Sequence, residues 1–136
     1  PVKVIVQALM PEHYAVAAAC RHDYETFAAV ELESRGEVDF PPFTRLILIE
    51  MTAENSSALM AKASDAADYL TEHSPPETEV LGPVEAPVAR IRGKYRAHIL
   101  LKTRRITALR AIVRGMLDTV SGPEMITIDV DPVDMM

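Results

Sequence analysis

From residue 44 onward the apolar positions switch repeatedly between a two-residue and a 3.6-residue rhythm. Residues 44–52, Thr-Arg-Leu-Ile-Leu-Ile-Glu-Met-Thr, put apolar side chains on both faces of an extended segment. That pattern predicts a central strand, covered on one side and partly on the other. Leu59, Ala63, Ala66 and Leu70 recur at helical spacing and predict a helix over 54–72, ended by Pro75-Pro76. Residues 78–92 read as extended, with bends at Gly82-Pro83 and Pro87. In 95–102, Ala97, Ile99 and Leu101 alternate with Arg96, His98 and Lys102, which is strand periodicity. Ile106, Leu109, Val113, Met116, Leu117 and Val120 form the stripe of a second helix over 105–120, stopped by Ser121-Gly122-Pro123. Residues 125–130, Met-Ile-Thr-Ile-Asp-Val, predict a last strand. The order β-α-β-β-α-β predicts an α+β domain of the ferredoxin-like split type, an antiparallel sheet with two helices on one face.

Upstream the rhythm is less regular. Residues 2–9 are rich in β-branched side chains and predict a short strand. Pro11-Glu12 opens a helical stretch with Tyr14, Val16, Ala17 and Cys20, where Cys20 reads as a small buried residue. Asp23 is placed to cap a second helix carrying Phe27, Val30 and Leu32. The stretch Gly36-Glu-Val-Asp-Phe-Pro-Pro-Phe43 breaks the pattern, since two prolines remove backbone donors. The expected division is residues 1–37 and residues 38–136.

Composition changes the picture in one respect. A chain of 136 residues with 49% hydrophobic and 25% charged residues fits one globular core. It has no apolar run long enough to span a bilayer and no signal-peptide pattern, so a cytoplasmic location without membrane contact is expected. It begins at Pro1 without Met and is expected to be a piece of a longer protein. One cysteine excludes an internal disulfide or a multi-cysteine zinc site. Charge, however, is segregated. The chain carries a net charge of -6, yet residues 90–114 hold nine Lys or Arg and no Asp or Glu. A local positive field attracts polyanions whatever the global charge.

Arg90, Arg92, Lys94, Arg96, Lys102, Arg104 and Arg105 are therefore the candidate phosphate ligands, with Tyr95 as a stacking platform for an unpaired base. A three-residue Arg92-Gly93-Lys94 turn pairs Ile91 with Tyr95 and leaves Arg90 beside Arg96, giving one cationic strand face. The alternative is a solvated face paired with acids elsewhere in the chain. Arg110 and Arg114 lie one turn apart beside the apolar stripe of the second helix. They extend the phosphate track, grip an acidic protein tail, or are plain solvated charges. Asp129 and Asp131 alternate and can share a strand face; with Glu124 and Asp134 they make a carboxylate cluster, which reads as an exposed edge rather than a metal site. The histidines lack ligand spacing, and no phosphate loop or nucleophile motif occurs. No catalytic residue is expected.

The runs Asp39-Phe-Pro-Pro-Phe-Thr-Arg45, Val80-Leu-Gly-Pro-Val-Glu-Ala-Pro-Val-Ala-Arg-Ile-Arg-Gly-Lys-Tyr-Arg96, Ile99-Leu-Leu-Lys102 and Ile128-Asp-Val-Asp-Pro132 resemble the C-terminal region of the bacterial primosomal protein N′ (PriA) family. Val4-Ile-Val-Gln-Ala-Leu-Met-Pro-Glu-His13 and Asp23-Tyr-Glu-Thr-Phe27 resemble that family's segment after its last helicase motif. The resemblance implies that residues 1–37 end a second helicase lobe and that residues 38–136 form an accessory DNA-binding domain. It implies a parent that recognises stalled forks, unwinds DNA 3′ to 5′ with ATP and helps reload the replicative helicase. ATP, magnesium and zinc would serve the parent, and no cofactor this piece. The implied partners are single-stranded and forked DNA, single-strand DNA-binding protein and other primosome proteins. Some members carry Trp after the Tyr-Arg pair; Ala97 stands there, so stacking rests on Tyr95. The competing reading is a packing and recruitment module whose basic charge is incidental.

Overall fold

The computed structural model describes residues 3–120, 122 and 125–135. The chain divides into two compact units, residues 1–40 and 41–136.

In the first unit, α1 (Tyr14–Arg21) and α2 (Tyr24–Glu37) form a helical hairpin. Asp23 caps α2 as expected, accepting from the Thr26 amide at 3.1 Å. Tyr14 stacks near Phe27, with 6.1 Å between ring centres, and donates to Glu31. Glu31 in turn accepts from Arg35 at 2.6 Å. Two expectations fail here. Residues 3–8 join no strand; without a neighbouring ladder their apolar side chains stay exposed, Val4 and Ile5 both at 80%. Cys20 is exposed rather than buried, because the one residue that α1 buries fully is Ala18. Val2 of the expected strand lies outside the described residues.

The second unit is the expected α+β domain. Its elements are β1 (Arg45–Ala53), α3 (Ser56–His73), β2 (Glu79–Ile91), β3 (Lys94–Thr103), α4 (Ile106–Thr119) and β4 (Met125–Val130). The sheet order is β2-β3-β1-β4 with every neighbouring pair antiparallel, the split βαβ arrangement. Asn55 caps α3 through its side chain, and the Thr103 hydroxyl accepts the Arg105 amide just before α4. Ser121 and Pro123 of the predicted stop signal after α4 lie outside the described residues. One sheet face packs Ile47, Ile49, Met51, Ala97, Ile99 and Leu101 against Leu59, Ala63, Ala66 and Leu70 of α3 and Leu109, Val113 and Met116 of α4. Both predicted stripes are thus core. The far face carries Leu46, Leu48, Glu50 and Thr52 from β1, facing Lys102, Leu100, His98 and Arg96 from β3.

Bends in β2 fall where its sequence placed them. Gly82 and Pro83 make an irregularity opposite Ile99, and residues 86–89 stand opposite Arg96 alone. Gly82 has φ +102°, and a Cβ there would lie 2.7 Å from the His98 carbonyl oxygen.

Candidate nucleic-acid interface

The hairpin between β2 and β3 turns on two residues, not three. Ile91 pairs with Lys94 and Arg90 with Tyr95. Arg92 (φ 50°) and Gly93 (φ 84°) are both left-handed, as a two-residue turn that follows the twist of its strands requires. An even turn reverses the expected parity. Arg90 lies on the helix-side face with Tyr95, while Lys94, Arg96, His98 and Lys102 occupy the far face. The predicted single stripe is therefore split. Arg90 puts its guanidinium 5.0 Å from the centre of the Tyr95 ring and donates to the Gly93 carbonyl at 3.3 Å. One side of the Tyr95 ring is already taken by a cation, and the ring also packs against the core.

Several of the far-face cations have partners from other strands. Arg96 donates through Nε to Glu50 at 3.0 Å, pairs with the same carboxylate through Nη2, and donates from Nη1 to the Val88 carbonyl at 3.2 Å. It thereby ties the bulge of β2 to β1. His98 Nε2 sits 3.1 Å from the same Glu50 oxygen. Burial pushes the Glu50 carboxyl up, but hydrogen bonds and charge from Arg96 and His98 outweigh it and hold the group below its ordinary 4.5. Lys102 pairs with Glu79 at 2.6 Å, its cross-strand neighbour, and Arg105 with Glu77 at 3.3 Å. The absence of local acids did not leave these three cations unpaired; antiparallel pairing and the α3–β2 connection bring acids to them. Arg104 is exposed at the corner between β3 and α4. Arg92 and Lys94 are exposed and make no ion pair among the described residues.

Beside these two lies a hollow of about 400 Å³ on the far face, lined by Glu50, Thr52, Ile91, Arg92, Lys94, Arg96 and Met125. Arg92, Lys94 and Arg96 were expected at a binding site; Ile91, Thr52, Glu50 and Met125 were not. Their signal was weak: one carboxylate in an apolar strand, and exposed apolar residues at two strand ends.

Arg110 and Arg114 border a second depression of about 450 Å³, with Ile47, Val113, Leu117, Ile128 and Val130 as its apolar lining and Asp118 beside them. Asp129 and Asp131 do not alternate within one strand. Asp131 lies beyond β4 with φ 54° and does not share a strand face with Asp129. Instead it accepts two hydrogen bonds from Arg45 Nε, at 2.8 and 2.6 Å, and one from the Leu46 amide at 3.3 Å. The hydrogen bonds from Arg45 hold the Asp131 carboxyl below its ordinary value. Glu124 lies outside the described residues, and among the described residues no cluster of His, Cys, Asp or Glu has metal-site geometry. No helix among them is long and apolar enough to cross a membrane.

Comparison with known proteins adds the lineage. The family model for the primosomal protein N C-terminal domain matches residues 36–133. The replication restart protein PriA of Bacillus subtilis (strain 168) is 33% identical over 141 residues, covering 100% of this chain and 18% of that protein. The replication restart protein PriA of Treponema pallidum (strain Nichols) is 36% identical over 135 residues, covering 98% of this chain and 20% of its own. The chain thus spans about a fifth of the length of these relatives. Among solved structures, the de novo designed protein Foldit4 superposes with a TM-score of 0.53 at 8% identity, over 67% of this chain and 99% of that one. That likeness is one of fold alone.

Proposed function

Since the chain belongs to the primosomal protein N C-terminal domain family, we propose that its second unit binds single-stranded or forked DNA through the β2–β3 hairpin, as an accessory domain of a replication-restart helicase. The observation that carries this reading is Arg92 and Lys94 at the hairpin tip, exposed and without an ion pair among the described residues, beside Arg90 on Tyr95, in a chain of net charge -6. Cations already matched by carboxylates release few counterions when a phosphate arrives; unmatched ones supply the attraction. On this reading the larger protein is an ATP-dependent 3′ to 5′ helicase using magnesium and zinc, acts in the cytoplasm at stalled forks and helps reload the replicative helicase. The fragment binds and orients DNA but catalyses nothing.

A second reading rests on the depression at Arg110 and Arg114. Two cations beside an apolar groove suit the acidic, apolar end of a protein tail, such as that of single-strand DNA-binding protein or another primosome protein.

Fluorescence anisotropy of the 136-residue chain with single-stranded oligonucleotides over a salt series separates the two. The double substitution Arg92→Asn with Lys94→Ala removes both tip charges, and Asn suits the left-handed backbone at position 92. It is expected to weaken DNA binding and to lower the log–log salt slope by about 0.7 for each phosphate no longer neutralised. Arg110→Ala with Arg114→Ala is expected to leave both nearly unchanged. Equal slopes for wild type and the tip variant would reject the hairpin as the DNA-binding element and favour protein recruitment.

A further inference from the structure

The hollow beside the hairpin tip combines apolar side chains, a hydroxyl and a carboxylate. Ile91 and Met125 stand on opposite sides of it, from β2 and β4, and are 45% and 56% exposed. Both are aliphatic side chains left in solvent at strand ends, and they supply walls for a flat apolar face. Thr52 and Glu50 come from β1, between them in the sheet. The Thr52 hydroxyl is shielded from solvent and has no hydrogen-bond partner. Hydrogen bonding to Glu50 is one-sided: Arg96 and His98 both reach Oε2. Its Oε1 carries no hydrogen bond among the described residues and remains an acceptor. Arg92 and Lys94 also line the hollow and supply positive charge for a phosphate beside a bound base. Its volume of about 400 Å³ sits in the ordinary range for small-ligand clefts, ~300–1,000 Å³.

We propose that this hollow admits one unpaired nucleobase, between Ile91 and Met125, and favours a base with an exocyclic amino group, which donates to Glu50 Oε1. Thymine is disfavoured because its imino N–H lies between two carbonyl oxygens, and these meet the carboxylate unfavourably. Arg96 has a positioning role: it holds Glu50 by its other oxygen and anchors the β2 bulge beside the site. The inference rests on the DNA-binding reading above and adds a base preference to it.

The test compares anisotropy titrations of the 136-residue chain with short dC and dT homopolymers, and repeats them with Thr52→Leu, which fills the floor, and Ile91→Ala, which removes one wall. Wild type is expected to bind dC about fivefold more tightly than dT, the worth of one additional hydrogen bond. Both variants are expected to lose that preference while keeping the wild-type salt slope, because the phosphates are still neutralised. Circular dichroism checks the fold of Thr52→Leu, and Ile91→Ala at an exposed position keeps the test valid if Thr52→Leu misfolds. Equal affinity for dC and dT, or a dC preference unchanged in Ile91→Ala, overturns the base site and leaves DNA binding standing. Absence of binding to either polymer overturns both.

Discussion

Glu50 is a single carboxylate on the far face of a central strand, and one of its oxygens is shared by Arg96 and His98. Its folded pKa is depressed, so its contribution to stability is complete above the unfolded value of 4.5 and is lost as pH falls through the folded value. Asp131, held low by Arg45, adds a loss of the same sign below 3.8, weakened by solvent screening. The thermal midpoint is accordingly expected to fall on acidification below pH 4.5. Glu50→Gln is expected to flatten the upper part of that limb and to cost about 2 kcal/mol at neutral pH, through weaker hydrogen bonds to charged groups. Thermal melts of both proteins across the acid range check this; parallel acid limbs would deny Glu50 the role. None of this pairing was legible in the sequence. Nine cations in one segment are visible by inspection, but the partners of Arg96 and His98 sit 46 and 48 residues away. Strand register, not composition, decides which cations remain unmatched.

At the scale of elements the local rhythm carries more. Both core helices and all four sheet strands were legible, because each apolar stripe faces a single layer and the period records that directly. The strand expected at 2–9 does not form over the described residues 3–9, since composition favours extension but supplies no ladder. The turn length was not legible either. Gly93 marks the hairpin, but whether two or three residues make the turn depends on Arg92 accepting a left-handed backbone, which arginine does not advertise. That one residue moves Arg90 to the opposite face. Gly82 is the other sensitive point of β2. Gly82→Ala brings a Cβ against the His98 carbonyl in a backbone conformation that side chains rarely adopt. A loss of about 2 kcal/mol is expected, measured as a shift of the denaturant midpoint with little change in slope. An unshifted midpoint would mean that the strand relaxes freely at this bulge.

At the scale of the whole molecule, every residue of the buried cluster lies between Ile47 and Val120. A chain starting at Pro41 is therefore expected to keep a cooperative thermal transition and its helical circular dichroism signal. A broad, non-cooperative melt would show that the second unit needs residues 1–40. The acidic net charge and the cationic hairpin tip are separate properties: the first belongs to the sum over all residues, the second to one loop. The Asp131 amide donates to the Leu46 carbonyl at 2.8 Å while its side chain holds Arg45. The end of β4 therefore lies beside the start of β1. A module whose first and last strands share one doorway can be spliced into a host protein, exchanged between hosts, or circularly permuted with a short linker, without disturbing the sheet it carries.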